Sequence, residues 1–261
     1  VNAIAVALQA VPGSIAEARA LALQNLLDLE LALLSPRATS KRVAEFVAGR
    51  VAARRAVRRL LSRTGLCSTF AVLREGDGPT GCPKVVGSGL DDKPICVSIS
   101  HADGIATAAA SHQRLGIDIA TIQHQEASFL AEAFNPRELA AWGSWLRSEP
   151  TSPLTVTTAF AAKEAALKLL GTGFGLGLRA IVVLPHLDDC GGRIPRSARR
   201  GTAFLNRTED GAEWPLAAVV ILRGSRVSVL LQPSPVHSRL ERHDCVKCSC
   251  IVPSRAGSWY C

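Results

Sequence analysis

Apolar positions recur every three to four residues along much of this chain, and short alternating runs fill the gaps between. Ser14 to Leu34 is rich in Ala and Leu and predicts one or two helices ending near Ser35-Pro36. From about Ala38 to Arg63, Val43, Phe46, Val47, Val57, Leu60 and Leu61 give a longer helix its apolar stripe, and Thr64-Gly65 closes it. Glu75 to Gly89 is turn-rich. Three short strands are then predicted, Ile95–Ser100, Ile105–Ser111 and Leu115–Ile119. Phe129 to Leu146 reads as helix interrupted at Asn135-Pro136, and Thr155 to Leu170 as a further helix. Strands follow near Arg179–Leu184, Gly201–Asn206, Leu216–Leu222 and Arg226–Leu231. Helix then strands, twice over, predicts an α+β chain of two similar halves, residues 1–112 and 113–232, although no sequence repeat is visible. Residues 233–261 lose periodicity and read as a poorly ordered, Cys-rich tail.

Composition adds little to this picture until charge is considered. A hydrophobic content of 48% and a charged content of 20% suit a globular protein with a real core. The net charge of +8 comes mainly from arginine, a residue suited to planar recognition of phosphate or carboxylate. Arg50, Arg54 and Arg58 stack four apart on the long helix, which keeps a nucleic-acid partner in view. Val1 to Val11 is apolar but lacks a basic leader and is broken by Pro12-Gly13, so it fits neither a signal peptide nor a membrane span. The expectation is a soluble, cytoplasmic protein with reduced thiols.

Two segments carry the candidate chemistry. Leu115-Gly116-Ile117-Asp118-Ile119 is an apolar strand with one carboxylate, and Phe160 to Lys168 is a helix holding Lys163, Glu164 and Lys168. Alone, Asp118 could be a turn residue and Glu164–Lys168 a solvated i,i+4 pair. But this helix is apolar nearly throughout and these are its only charges, which favours a site. Carboxylates from two elements can hold a hard divalent cation beside a phosphate, with lysines to balance its charge. His101 after Ser98-Ile99-Ser100 does not make a Ser-His nucleophile, because neighbours on a strand point to opposite sides. It could donate to a phosphate. The run Gly171 to Gly177 follows its helix rather than preceding it, so it reads as a C-cap and hinge. In the tail, His243, Cys245, Cys248, Cys250 and Cys261 could hold zinc, but a second ligand pair at regular spacing is missing.

Together these elements resemble the 4′-phosphopantetheinyl transferases of the larger, two-half type that activates nonribosomal peptide and polyketide synthases. The resemblance rests on Gly116-Ile117-Asp118, Phe160 through Lys168, the set Arg42, Glu45, Phe46 and Arg50 (as in siderophore-synthesis members), and Ser98-Ile99-Ser100-His101. It spans roughly residues 35 to 185. It implies two pseudo-symmetric halves, each a small, mainly antiparallel sheet packed with a long helix, and an active site in the cleft between them. It also implies a reaction. Coenzyme A and an apo acyl or peptidyl carrier protein give holo carrier protein and adenosine 3′,5′-bisphosphate, with no nucleic-acid or membrane partner and a monomeric enzyme. Asp118 and Glu164 would coordinate Mg²⁺ (or Mn²⁺), and Glu164 would also serve as base. Lys168 and Lys163 would hold pyrophosphate oxygens. Arg42, Arg50, Ser100 and His101 would bind the 3′-phosphate and neighbouring parts of CoA.

The chain departs from that pattern at three positions. An acidic residue often found two after the strand Asp is Ala120 here, and the polar residue usual after the helix aromatic is Ala161. A lysine expected before Gly81-Cys82-Pro83 is Thr80, with Lys84 as a possible substitute. The Ala120 change keeps an inactive CoA-binding relative in view as an alternative.

Overall fold

The computed structural model describes residues 3–65, 69–74, 82–88, 90, 94–172, 178–186, 198–207 and 213–233. The Cys-rich tail, Thr80, Gly81 and most of the Gly171–Gly177 run lie outside the described residues. In chain order the elements are β1 (Ile4–Ala10), α1 (Ile15–Asn25), α2 (Asp28–Leu31), α3 (Ser40–Thr64), β2 (Phe70–Arg74), β3 (Pro83–Gly87), β4 (Cys96–Ala102) and β5 (Ile105–Ser111). Then come β6 (Gly116–Thr121), α4 (Ala127–Ala133), α5 (Pro136–Leu146), α6 (Pro153–Leu170), a 3-10 turn (Leu178–Ala180), β7 (Ile181–His186), β8 (Ala198–Arg207), β9 (Glu213–Arg223) and β10 (Arg226–Pro233).

The helix boundaries follow from local chemistry. Thr39 and Ser152 accept the Arg42 and Thr155 N–H groups at the starts of α3 and α6, and Gly65 and Gly171 end those helices in the left-handed region. Asn135 caps α5 ahead of Pro136, the break expected from the sequence.

Both sheets are five-stranded and antiparallel, and they share one topology: β1-β5-β4-β3-β2 and β6-β10-β9-β8-β7. In each, the first strand pairs with the last, and a long helix packs against both. The likeness reaches single hydrogen bonds. The Val11 N–H donates to Gly104 O at 2.8 Å, and the Ile122 N–H donates to Ser225 O at 2.7 Å, each tying the exit of the first strand to the closing hairpin. Those hairpins, Asp103-Gly104 and Gly224-Ser225, are two-residue turns that need positive φ, adopted by Asp103, Gly104 and Gly224. Arg226 joins them by donating to both Asp103 O and Asp103 Oδ2.

The α+β expectation therefore holds, with a correction to element order. Each half begins with a strand, and β1 arises from the apolar N-terminal stretch that carried no strand expectation. Strand β3 sits inside the turn-rich region. β1 gains its ladder bonds from β5, distant in sequence, whereas β3 gains its own from its chain neighbours β2 and β4.

The arginine stripe also resolves differently. Arg50 and Arg54 are buried, and only Arg58 of the three faces solvent. Arg54 pairs with the fully buried Glu30 at 2.9 Å and donates to Phe70 O. On another face of α3, Arg59 and Arg63 donate to Val6 O and Ile4 O, covering backbone acceptors on the outer edge of β1. These contacts give several arginines structural work, and the exposed basic row on α3 is Arg55, Arg59 and Arg63, four apart, rather than the expected Arg50, Arg54 and Arg58.

Between the halves, Ile4, Ala109, Leu115, Ile117 and Leu230 form a small apolar cluster. The β4 hydroxyls stitch across it. Ser98 Oγ accepts the Ile117 N–H, and Ser100 Oγ accepts the Ile119 N–H. Asp118 is thereby fixed against the first half as well as within its own sheet.

Candidate active site

Strand β6 and helix α6 lie unusually close. A Cβ on Gly116 would sit 1.7 Å from Ala165 O, so only glycine permits this approach. Two residues further along β6, Asp118 reaches the helix face that carries Glu164 and Lys168. The Lys168 ammonium lies 2.6 Å from Asp118 Oδ1 and 3.2 Å from Ile117 O. The same Oδ1 accepts the Ser100 hydroxyl at 2.6 Å. Asp118 is only 6% exposed, so these two bonds compensate a desolvated charge.

A cleft of about 530 Å³ opens over this cluster. Ser100 and His101 of β4, Asp118 and Ala120 of β6, and Phe160, Glu164 and Lys168 of α6 all line it. At its His101 end it meets a second cavity of about 360 Å³, lined by Lys41, Glu45 and Asp103 among others. There His101 Nε2 lies 3.2 Å from Glu45 Oε2.

Glu164 is the electrostatic outlier. Burial raises its carboxyl to about 7, the neighbouring Asp118 charge adds to the rise, and Lys168 opposes it. Its Oε1 is buried and has no hydrogen-bond partner among the described residues. A buried carboxylate oxygen left unpaired beside a second carboxylate suits a hard divalent cation, so the donor set fits Mg²⁺ or Mn²⁺. The set is lean, however. Ala120 lines the cleft where a third acid would stand, and among the described residues no group of three or more His, Cys, Asp or Glu side chains assembles.

The structure does not bring every expected residue to the cleft. Lys163, next to Glu164 in sequence, is fully buried against Glu138 at 2.9 Å. It also donates to Leu178 O and Ile181 O, and Phe134 lies beneath it. Burial raises the Glu138 carboxyl and lowers the Lys163 ammonium, while their mutual attraction opposes both shifts. Successive helix positions point about 100° apart, so Glu164 can face the cleft while Lys163 faces the core. Arg50 is likewise turned inward. It donates to Val72 O and Leu73 O and lies against the Phe46 ring. Burial lowers it to about 10, with Glu30 opposing and Arg74 adding, so it remains charged at neutral pH. Arg42 is exposed in the first turn of α3 and, like Lys84 on β3, does not line the cleft.

Other lining residues carried no expectation. Thr157 joins Phe160, Glu164 and Lys168 in a stripe along α6, and Gln123 and Gln125 approach from the segment after β6. Helical spacing from Glu164 would have found Thr157. Nothing local marks the glutamines.

Among the described residues no helix is long and apolar enough to cross a membrane. The crystal structure of holo-ACP-synthase from Plasmodium yoelii aligns at a TM-score of 0.30 and 21% identity, covering 41% of this chain and 91% of that one, a likeness too slight to bear on the site. Sequence comparison is stronger. A holo-[acyl-carrier-protein] synthase of Solidesulfovibrio magneticus is 39% identical over 128 residues, covering 42% of this chain and 97% of the relative. The model of the 4′-phosphopantetheinyl transferase superfamily matches residues 114–219, the stretch that contains Asp118, Glu164 and Lys168. With nearly the whole of that relative aligned at this identity, the chain belongs to the 4′-phosphopantetheinyl transferase superfamily.

Proposed function

We propose that the protein transfers the 4′-phosphopantetheine group of coenzyme A to a serine of an apo acyl or peptidyl carrier protein, releasing adenosine 3′,5′-bisphosphate. The observation that carries this reading is the convergence of Asp118, Glu164 and Lys168 at one cleft between the two sheets. The carrier serine oxygen attacks the β-phosphorus of CoA. A new P–O bond forms there as the bond to the adenosine-side phosphate breaks, and the serine proton must leave. Glu164, which lines the cleft beside Asp118, serves as the base for that proton. Lys168 reaches the pyrophosphate oxygens from the same helix face and offsets their charge. Ser100, bonded to Asp118, keeps that carboxylate oriented. His101 at the junction of the two cavities binds a phosphate of the nucleotide end. Asp118 and Glu164 would hold the divalent cation, Mg²⁺ or Mn²⁺, which would offset negative charge on the pyrophosphate. The protein acts as a cytoplasmic monomer, and its basic surface favours encounter with acidic carriers.

Incubation with CoA, Mg²⁺ and a panel of apo carrier proteins tests this. A carrier mass gain of one phosphopantetheine, lost in Glu164→Ala and Asp118→Ala, is expected. CoA binding without transfer to any carrier would instead favour the inactive relative that Ala120 brings to mind.

A further inference from the structure

The contact between Lys168 and Asp118 has a bearing on how the site takes up its ligands. Asp118 Oδ1 receives both the Lys168 ammonium and the Ser100 hydroxyl at 2.6 Å, and Lys168 is further anchored to Ile117 O. A short ammonium–carboxylate contact of this kind, largely shielded from water, is strong relative to an exposed pair. The side chain is still 29% exposed and opens on the cleft, so unlike Lys163 it is free to turn outward. With Ala120 in place of an acid, the described carboxylates of the cleft are Asp118 and Glu164 alone, and Lys168 already neutralises one of them.

We propose that Lys168 is an internal counter-ion that competes with the divalent cation for Asp118 until the pyrophosphate of CoA draws it away. This rests on the reading of the cleft as a CoA site. Cation and CoA binding are then coupled through one side chain. CoA offers Lys168 phosphate oxygens, Asp118 is released, and the cation gains a full carboxylate. By reciprocity the cation strengthens CoA binding by the same factor.

Mn²⁺ binding, followed by the electron paramagnetic resonance signal of free Mn²⁺, tests the coupling directly in wild type, Lys168→Met and Lys168→Gln. Without CoA, both variants should bind Mn²⁺ about tenfold tighter or more than wild type, within the usual range of coupling between sites. With saturating CoA that advantage should disappear. Adding Asp118→Asn to Lys168→Met should abolish the tightening. Unchanged or weaker Mn²⁺ binding in both variants without CoA would overturn the proposal. So would a tightening that persists undiminished with CoA, since that is the signature of plain charge removal. Calorimetric titration of wild type with CoA is read separately. If CoA fails to bind there, the reading of the cleft fails. If CoA binds but the Mn²⁺ pattern is absent, only the counter-ion role fails.

Discussion

Gly116 and Ala165 touch so closely that a single methyl group on Gly116 would overlap the Ala165 carbonyl oxygen, at 1.7 Å. This contact sets the distance between β6 and α6, and with it the distance from Asp118 to Glu164 and Lys168. Gly116→Ala must therefore push the helix off the strand. A loss of about 3 kcal/mol or more in urea unfolding is expected, together with a collapse of transfer activity. A stable and fully active Gly116→Ala would show that the approach of these elements does not govern the site.

Lys163 and Glu138 provide a test of direction. Lys163→Met leaves a buried carboxyl without its cation and should cost about 3–5 kcal/mol. Pairing it with Glu138→Gln removes the stranded charge and keeps an acceptor for the Val183 N–H, which Glu138 Oε1 now holds at 2.9 Å. The double variant should regain the part due to the stranded charge, though not the Lys163 bonds to Leu178 O and Ile181 O, and keep KM for CoA near that of wild type. A large rise in KM in the folded double variant would return Lys163 to the CoA site.

Arg50 makes a parallel case in the first half. Arg50→Met leaves the Val72 and Leu73 carbonyls without their guanidinium donor. The expected cost is about 2–3 kcal/mol in thermal or urea unfolding. KM for CoA should be unaffected at temperatures where the variant is folded, and a selective loss of CoA binding would contradict the buried placement.

Glu164 links the site to pH. In the folded chain its proton is held to about 7, against an ordinary carboxyl value of 4.5. The native state thus binds this proton more tightly than the unfolded chain does. The stabilisation it brings is complete below the unfolded value and is lost as pH rises through about 7. With solvent screening allowed for, wild type should lose about 1–2 kcal/mol between about pH 5 and about pH 8 beyond the loss in Glu164→Gln. Unfolding in the presence of a chelator measures this, and equal losses in both proteins would remove the shift.

How far the sequence reached differs from residue to residue. The helix around Glu164 was legible from Thr155 on because its apolar run and the glycine that ends it, Gly171, are local features, whereas its start at Ser152 and Pro153 carried no expectation. The strand at Asp118 was legible because β-branched neighbours flank it. Strands β1, β2 and β3 were not: β1 becomes a strand because β5, far along the chain, supplies its ladder, and β2 and β3 are short stretches beside Gly- and Pro-rich sequence that gain theirs from each other and from β4.

The direction of each charged side chain was the larger gap. α6 is apolar almost all round, so its periodicity does not say which face meets the sheet, and Lys163 and Lys168 look equivalent in sequence. Sequence alone determined the inventory of this protein, two carboxylates and a lysine on a strand and a helix some forty residues apart, and the family to which that pattern points. Only the tertiary structure decided which charges meet. Gly116 lets β6 reach α6, the rotation of α6 turns Glu164 and Lys168 to the cleft, and burial against Glu138 takes Lys163 out of it. The reason is that side-chain direction depends on packing between elements distant in the chain, which no local spacing encodes.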